Sequence, residues 1–385
     1  MSPSRITRIS VVRPQGLGPL GESLGNLYNL AAPLPGRQHV DQERPDLKNL
    51  SLEGLEELLK AMGEPRYRAD QIAAWVFPRG VTSFEAMTDL SKDLRHRLGE
   101  QARITGSEIV RSERSQLDGT EKLLLAYEDG ARVEAVLLRD SDRTTGCIST
   151  QVGCRLGCTF CATGAMGFER DLTAAEIIEQ IQALRRSAEP DRLDNVVFMG
   201  MGEPLDNYDA TLRAVRTANA PWGLGIGARR MTISTAGLVP GIRRLADEGL
   251  QVNLALSLNA PDQELRAKLM PIAERYPLPE LIGALKEYVR KVGRLITLEY
   301  VLLGGINDTQ ACADGLADLA GGLLCKVNLI CYNEIENVPF SPPDDQTQEM
   351  FYARLRRRCP TVVRRISRGS DIAAGCGQLR IRKTD

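Results

Sequence analysis

The sequence predicts an α/β protein: a partial (β/α)6, TIM-like barrel with a small N-terminal helical domain before it and a β-hairpin connector between the two. Three observations carry this expectation. Between Cys147 and Tyr332 six apolar strand candidates alternate with amphipathic helical stretches, the pattern of a parallel sheet. From Leu50 to Leu98 apolar residues recur at helical spacing. Asp129-Gly130 separates two strand-like runs and has the composition of a tight hairpin turn.

Residues 1–46 are rich in Pro, Gly, Ser and Asn, lack a sustained period, and read as a disordered or variable extension. Residues 47–103 make the helical accessory domain. Ser51 is the expected N-cap before Leu52, Leu55, Leu58 and Leu59, and the stretches Ala69 to Phe77 and Phe84 to Leu98 continue the helical period. Trp75, Phe77 and Phe84 read as core rather than as base-stacking platforms. The connector, residues 104–140, pairs Lys122 to Tyr127 with Arg132 to Leu138. The barrel core, residues 141–370, takes its strands from Cys147 to Gln151, Asn195 to Met199, Arg230 to Thr235, Val252 to Leu258, Thr297 to Leu303 and Lys326 to Tyr332. Residues 371–385 form a C-terminal segment in which Gly375 and Gly377 flank Cys376. The active site of such a sheet lies at the C-terminal ends of its strands, where the polar and Gly-rich motifs of this chain fall.

Composition narrows the function classes. A chain of 385 residues with 43% hydrophobic and 26% charged residues can bury a large core. It shows no run of about 18 apolar residues and no apolar N-terminal leader, so a cytoplasmic protein without a membrane partner is expected. Only two histidines, His39 and His96, occur, and both lie outside the motif-rich region, which argues against a histidine-based triad or a histidine-ligated zinc. Nine cysteines are too sparse for a disulfide scaffold, yet three fall within eight residues, as metal or redox chemistry would require. The net charge of −1 gives no global signature of a nucleic-acid partner. Arg354, Arg356, Arg357, Arg358, Arg364, Arg365, Arg368, Arg380, Arg382 and Lys383 crowd the C-terminal stretch, as either a solvated face or a phosphate-contacting one.

The cysteines carry the chemistry. Cys154-Arg-Leu-Gly-Cys158-Thr-Phe-Cys161 follows the first strand candidate and precedes a helix expected to begin near Thr173. Three thiolates suit the iron of an iron-sulfur cube, and the missing fourth protein ligand leaves one iron open to a chelating amine and carboxylate. Zinc, or a chance grouping of buried thiols, is the alternative, but no second CxxC follows to complete a zinc knuckle. With Phe160 before the last cysteine, the spacing resembles the CxxxCxΦC signature of the radical S-adenosylmethionine (SAM) superfamily. Met199-Gly-Met-Gly-Glu203-Pro204, after the second strand, resembles that superfamily's GGEP motif, with Met201 between the glycines; glycines there let the backbone approach a ligand.

Cys147-Ile-Ser-Thr-Gln-Val-Gly-Cys154, the cluster motif and Gly167-Phe168 resemble the RlmN/Cfr family of radical SAM RNA methyltransferases. The likeness extends from about Leu50, through Gly-Glu-Pro-Arg-Tyr-Arg-Ala at 63–69 and Leu90-Ser-Lys, to Arg368-Gly-Ser-Asp-Ile372 and Cys376-Gly-Gln-Leu379. It implies a radical SAM barrel, a [4Fe-4S] cluster on Cys154, Cys158 and Cys161, and two SAM molecules per turnover. It also implies that Cys376 carries the methyl group as S-methylcysteine, that Cys147 resolves a transient protein–RNA crosslink by closing a disulfide, and that Glu134 accepts a proton. SAM contacts are implied for Gly202, Glu203, Ser234, Ser257, Leu258, Asn259 and Asn333, with Asn259 standing where the family commonly has a histidine. The implied reaction is methylation of adenine C2 in 23S rRNA, free rather than ribosome-assembled, and in tRNA anticodon loops. Flavodoxin or ferredoxin is the implied electron donor, and the enzyme is expected to act as a monomer. Methylation at C8 uses the same residues and stays open, as does a non-catalytic iron-sulfur RNA-binding protein.

Overall fold

The computed structural model describes residues 44–359 and 361–381. The extension expected over residues 1–46 therefore lies almost wholly outside the described residues, as do Arg382 and Lys383. One ten-stranded mixed sheet runs through the described chain. Its first three strands, β1 (Glu108–Arg114), β2 (Glu121–Ala126) and β3 (Arg132–Arg139), form an antiparallel meander. β4 (Thr144–Cys147) pairs antiparallel with β3 and parallel with the strand beyond it, so meander and barrel share one sheet. β5 (Gln151–Gly153) and β6 (Phe168–Asp171) make a separate two-stranded ribbon that brackets the cysteine motif. β7 (Leu193–Phe198), β8 (Met231–Thr235), β9 (Asn253–Ser257), β10 (Ile296–Leu302), β11 (Cys325–Cys331) and β12 (Val362–Arg365) continue from β4, each parallel to its neighbour.

The predicted partial barrel is present, with differences that have physical causes. The first strand was expected over Cys147 to Gln151, but β4 ends at Cys147. Beyond it, Thr150 N and Gly200 N bond across to Met201 O and Ile148 O (2.8 and 3.0 Å), so these residues brace a loop instead of extending a ladder. The helix expected from Phe84 to Leu98 is a single 3-10 turn at Phe84–Ala86 followed by a helix over Lys92–Gln101. Ser91 starts that second helix, its hydroxyl accepting from Leu94 N at 3.1 Å. β1 and β12 were not anticipated. Both are edge strands, and their charged, half-exposed sequences are what an edge carries to resist further pairing.

The N-terminal helices Leu52–Ala61, Tyr67–Val76 and Lys92–Gln101 bury Leu55, Leu59, Ile72 and Leu94, together with Phe77 just past the second of them. Ser51 caps the first, accepting from Gly54 N at 3.1 Å as its position predicts. Phe77 and Phe84 are core, and Phe77 meets Trp222 edge to face at 5.3 Å. This domain rests on the barrel helix Ala174–Ala188, which begins at a Thr173/Glu176 capping box. Gln182 of that helix donates to Val76 O and Phe77 O at 2.7 and 2.8 Å, and Lys48 pairs with Glu179, both fully buried. A buried pair adds little net stability, but losing one partner is costly, so the pair fixes where the domain sits.

Candidate active site

The Gly-Met-Gly-Glu loop shows why its sequence is what it is. A Cβ on Gly200 would stand 2.7 Å from Ile148 O, and Gly202 has φ +96° with Gln151 Cβ 2.6 Å from where its own Cβ would be. Met201 between them is fully buried; its amide donates to Ser149 Oγ at 2.8 Å and its sulfur accepts from Glu134 N at 3.4 Å. The departure from Gly-Gly is therefore a core anchor. The loop delivers Glu203 to the floor of a cavity, where Oε1 accepts from Leu205 N (3.0 Å) and Oε2 from Ala236 N (2.8 Å). Burial outweighs these bonds and raises the Glu203 carboxyl to about 7. A cationic amine beside it would be well matched.

That cavity, about 1040 Å³ including its open mouth, lies at the C-terminal ends of the parallel strands. Cys154, Cys158 and Cys161 form one wall, Gly202, Glu203, Ser234 and Ser257 another, and Cys376 closes a third side. The cysteine loop is held by its backbone: Cys154 N donates to Gly167 O (2.8 Å), Thr159 N to Leu269 O (3.0 Å) and Cys161 N to Cys158 O (3.2 Å). Burial lifts all three thiols, Cys154 to about 12, and their charges oppose one another. Arg266 is fully buried beside Cys158, and its Nη1 has no partner among the described residues. Three soft thiols that ionise together only beside positive charge, with a guanidinium already in place, fit an iron-sulfur cluster. Among the described residues no three His, Cys, Asp or Glu side chains close on a single ion, and a cube, which takes each thiolate on a different iron, does not ask them to.

Of the remaining candidates Cys376 lines the cavity, whereas Cys147 and Glu134 do not. Cys376 is half-buried in a loop between β12 and the chain end, and Cys147, the last residue of β4, is close enough for the two sulfurs to interact electrostatically. Burial pushes the Cys147 thiol up to about 12. Both are free thiols, and no disulfide occurs among the described residues. Glu134 on β3 is buried rather than an exposed strand charge; Lys122 Nζ lies 3.0 Å from Oε1 and the Arg380 amide donates to Oε2 at 2.8 Å. The segment that carries Cys376 therefore ends on Glu134.

The other expected SAM contacts divide. Ser234 and Ser257 line the cavity, but Leu258 is fully buried and off its wall. Asn259 lines it in a left-handed conformation (φ 58°) that asparagine tolerates, but its amide is taken: Val301 N donates to its oxygen at 3.0 Å and its nitrogen faces Met270 Sδ at 3.3 Å. Asn333 is off the wall and instead donates to Cys376 O at 3.3 Å, holding the cysteine loop. Among the polar lining residues, sequence reasoning gave no site role to Glu299 or Tyr332, and it placed Arg365 only in the basic C-terminal run. Glu299 had a usable signal, a carboxylate inside an otherwise apolar strand. Of the C-terminal arginines, Arg354 and Arg358 pair with Asp314, Arg364 with Glu349, Arg368 with Asp140 and Arg380 with Glu336, so much of that run is spent on intramolecular ion pairs.

Residues 45–104 match the model of the ribosomal RNA large subunit methyltransferase N-terminal domain, and residues 148–313 that of the radical SAM superfamily. A protein of Pelobacter propionicus named dual-specificity RNA methyltransferase RlmN is 46% identical over 338 residues, covering 88% of this chain and 96% of its own. A relative from Thermoanaerobacter sp. strain X514, named as a probable enzyme of that kind, is 44% identical over 87% of this chain and 97% of its own. The crystal structure of a radical SAM methyltransferase from Sphaerobacter thermophilus superposes with a TM-score of 0.84 at 48% identity, covering 87% of this chain and 99% of that one.

Proposed function

Since the chain belongs to the RlmN family of radical SAM RNA methyltransferases, which use a [4Fe-4S] cluster and SAM, we propose that it methylates C2 of adenine in 23S rRNA and in tRNA. What supports the reading is the convergence of the three motif cysteines and Cys376 on one cavity, with Cys147 in electrostatic reach of Cys376 and Glu134 bonded to the Arg380 amide of the same segment. Cys154, Cys158 and Cys161 hold the cluster, which when bound and reduced supplies the electron that cleaves the sulfonium of SAM. Glu203 receives the amino group of SAM, and Ser234 and Ser257 offer hydroxyls to it.

Cys376 first acts as nucleophile toward one SAM and keeps the methyl as a thioether. The cluster and a second SAM would supply the radical that removes a hydrogen atom from that methyl, and the cluster would take back the surplus electron once the carbon has joined the adenine. Glu134, whose oxygens are already held by Lys122 and the Arg380 amide, stands ready to take the proton that the adenine carbon releases. The Cys147 thiolate attacks the Cys376 sulfur of the adduct, forming the S–S bond as the S–C bond breaks; the released carbon takes a proton to become the methyl group, and a cellular thiol or reductase must then open the disulfide. Free rRNA, a flavodoxin or ferredoxin donor, a monomeric state and a cytoplasmic setting complete the reading; no helix among the described residues is long and apolar enough to cross a membrane.

Cys147→Ala tests it. The reconstituted variant should accumulate a covalent protein–RNA species, seen as a nuclease-sensitive shifted band. Clean turnover by the variant would overturn the role of Cys147, and 8-methyladenosine in digests of wild-type product would move the reaction to C8.

A further inference from the structure

Glu299 sits in β10 between Leu298 and Tyr300 and is 6% exposed. Register places Ser257 of β9 on one side of it and Asn328 of β11 on the other. Residues in register across a parallel sheet share a face, and Ser257 and Glu299 both line the cavity. Asn328 Nδ2 donates to Glu299 Oε1 at 3.1 Å, whereas Oε2 is buried with no partner among the described residues. Tyr332, one residue beyond β11 on the same cavity wall, likewise has a buried hydroxyl without a partner.

Buried carboxylate oxygens are normally satisfied, because an unpaired one forfeits its hydration for nothing. Burial accordingly pushes the Glu299 carboxyl up, and the Arg365 guanidinium on the same wall pulls it back. No step assigned above employs this residue: Glu203 receives the amino group and Glu134 the proton. A free acceptor next to a serine, on the wall of the cavity that the motif cysteines line, is the arrangement that reads hydroxyls or an exocyclic amine.

We infer that Glu299 is a ligand-binding residue whose free oxygen accepts a hydrogen bond from an O–H or N–H donor of an adenosine moiety in the cavity. Two adenosines are available to it, that of SAM and that of the target nucleotide, and both offer a ribose 2'-hydroxyl and an exocyclic amine. The inference rests on the reading that SAM occupies this cavity.

Two variants of the reconstituted holoenzyme test it, Glu299→Gln, which keeps the Asn328 bond but turns an amide donor toward the ligand, and Glu299→Met, which removes both oxygens. Equilibrium dialysis measures SAM affinity without RNA, and thermal unfolding reports integrity. Both variants should melt no lower than wild type, since a buried charge has been removed, while SAM binds about tenfold or more weakly. Unchanged SAM binding with a similar rise in KM for RNA places the donor on the target adenosine. Binding of both ligands within about twofold of wild type overturns the inference. Glu203→Gln separates the two readings: if it loses SAM while the Glu299 variants keep both ligands, only the Glu299 inference falls. If it binds SAM normally while they do not, the Glu299 contact stands and the assignment of Glu203 falls.

Discussion

The two thiol-bearing segments of the site are held in different proportions by backbone and side-chain bonds. The cysteine loop at 154–161 is fixed by backbone hydrogen bonds to its own ribbon and to Leu269. The segment carrying Cys376 has one backbone bond to the cysteine region, from Ala162 N to Gly377 O at 2.8 Å, and is otherwise tied down through side chains to several distant elements. Asp118 accepts from Gly369 N (2.9 Å), Asp371 from Gln116 N (3.0 Å) and Glu134 from Arg380 N (2.8 Å); Gln378 donates to Glu334 O (2.8 Å). Single bonds of that kind contribute about 1 kcal/mol each and can be exchanged one at a time. A cluster ligand has one place to be, whereas a methyl carrier must present its sulfur first to a methyl donor and then to a substrate carbon, so the looser mooring suits its task.

The largest expected effect comes from the rigid side. Cys158→Ser should reduce cluster content, read by iron analysis and visible absorbance, and bring 5'-deoxyadenosine formation to background. Cys376→Ala should abolish RNA methylation while leaving iron content and the visible spectrum as in wild type; cluster loss in this variant would break the contrast by showing the two segments to be one structural unit. On the rigid side, too, the metal-free protein stores a penalty at Glu203. Its folded carboxyl sits at about 7 against an ordinary 4.5, so its contribution is most favourable below about pH 4.5 and is lost as pH rises through 7. Glu203→Gln should therefore flatten the pH dependence of metal-free stability across that window, by up to about 3 kcal/mol, in denaturant titrations. An unchanged slope would place the carboxyl outside the buried wall. Asp371→Ala removes one side-chain tie of the Cys376 segment and should lower the methylation rate by about fivefold, with cluster content untouched, as measured in single-turnover assays. A loss as large as that of Cys376→Ala would show the segment to be rigid.

The cysteine loop was legible because its donors lie close together in sequence and their spacing is itself the chemistry. Cys147 and Cys376 were assigned only through family likeness, since nothing local distinguishes a thiol that ends a strand from one in a terminal loop. Glu299 was overlooked although a charge within Ile296–Leu302 breaks the apolar run of a buried strand; the hairpin partner Lys122 gave no such sign, because a lysine on a meander strand is ordinarily solvated.

The sequence by itself determined the alternation of strands and helices, the Ser51 and Thr173 helix starts, and the three-thiol motif, all of which depend on neighbours a few residues apart. Only the tertiary structure decided that β4 stops at Cys147, that edge strands β1 and β12 join the sheet, that Cys376 and Glu299 line one cavity, and that Glu134 bonds the segment carrying Cys376. Those outcomes depend on contacts between residues far apart in sequence, 246 positions between Arg380 and Glu134 and 255 between Asp371 and Gln116, and such pairings leave no period or spacing in a single chain.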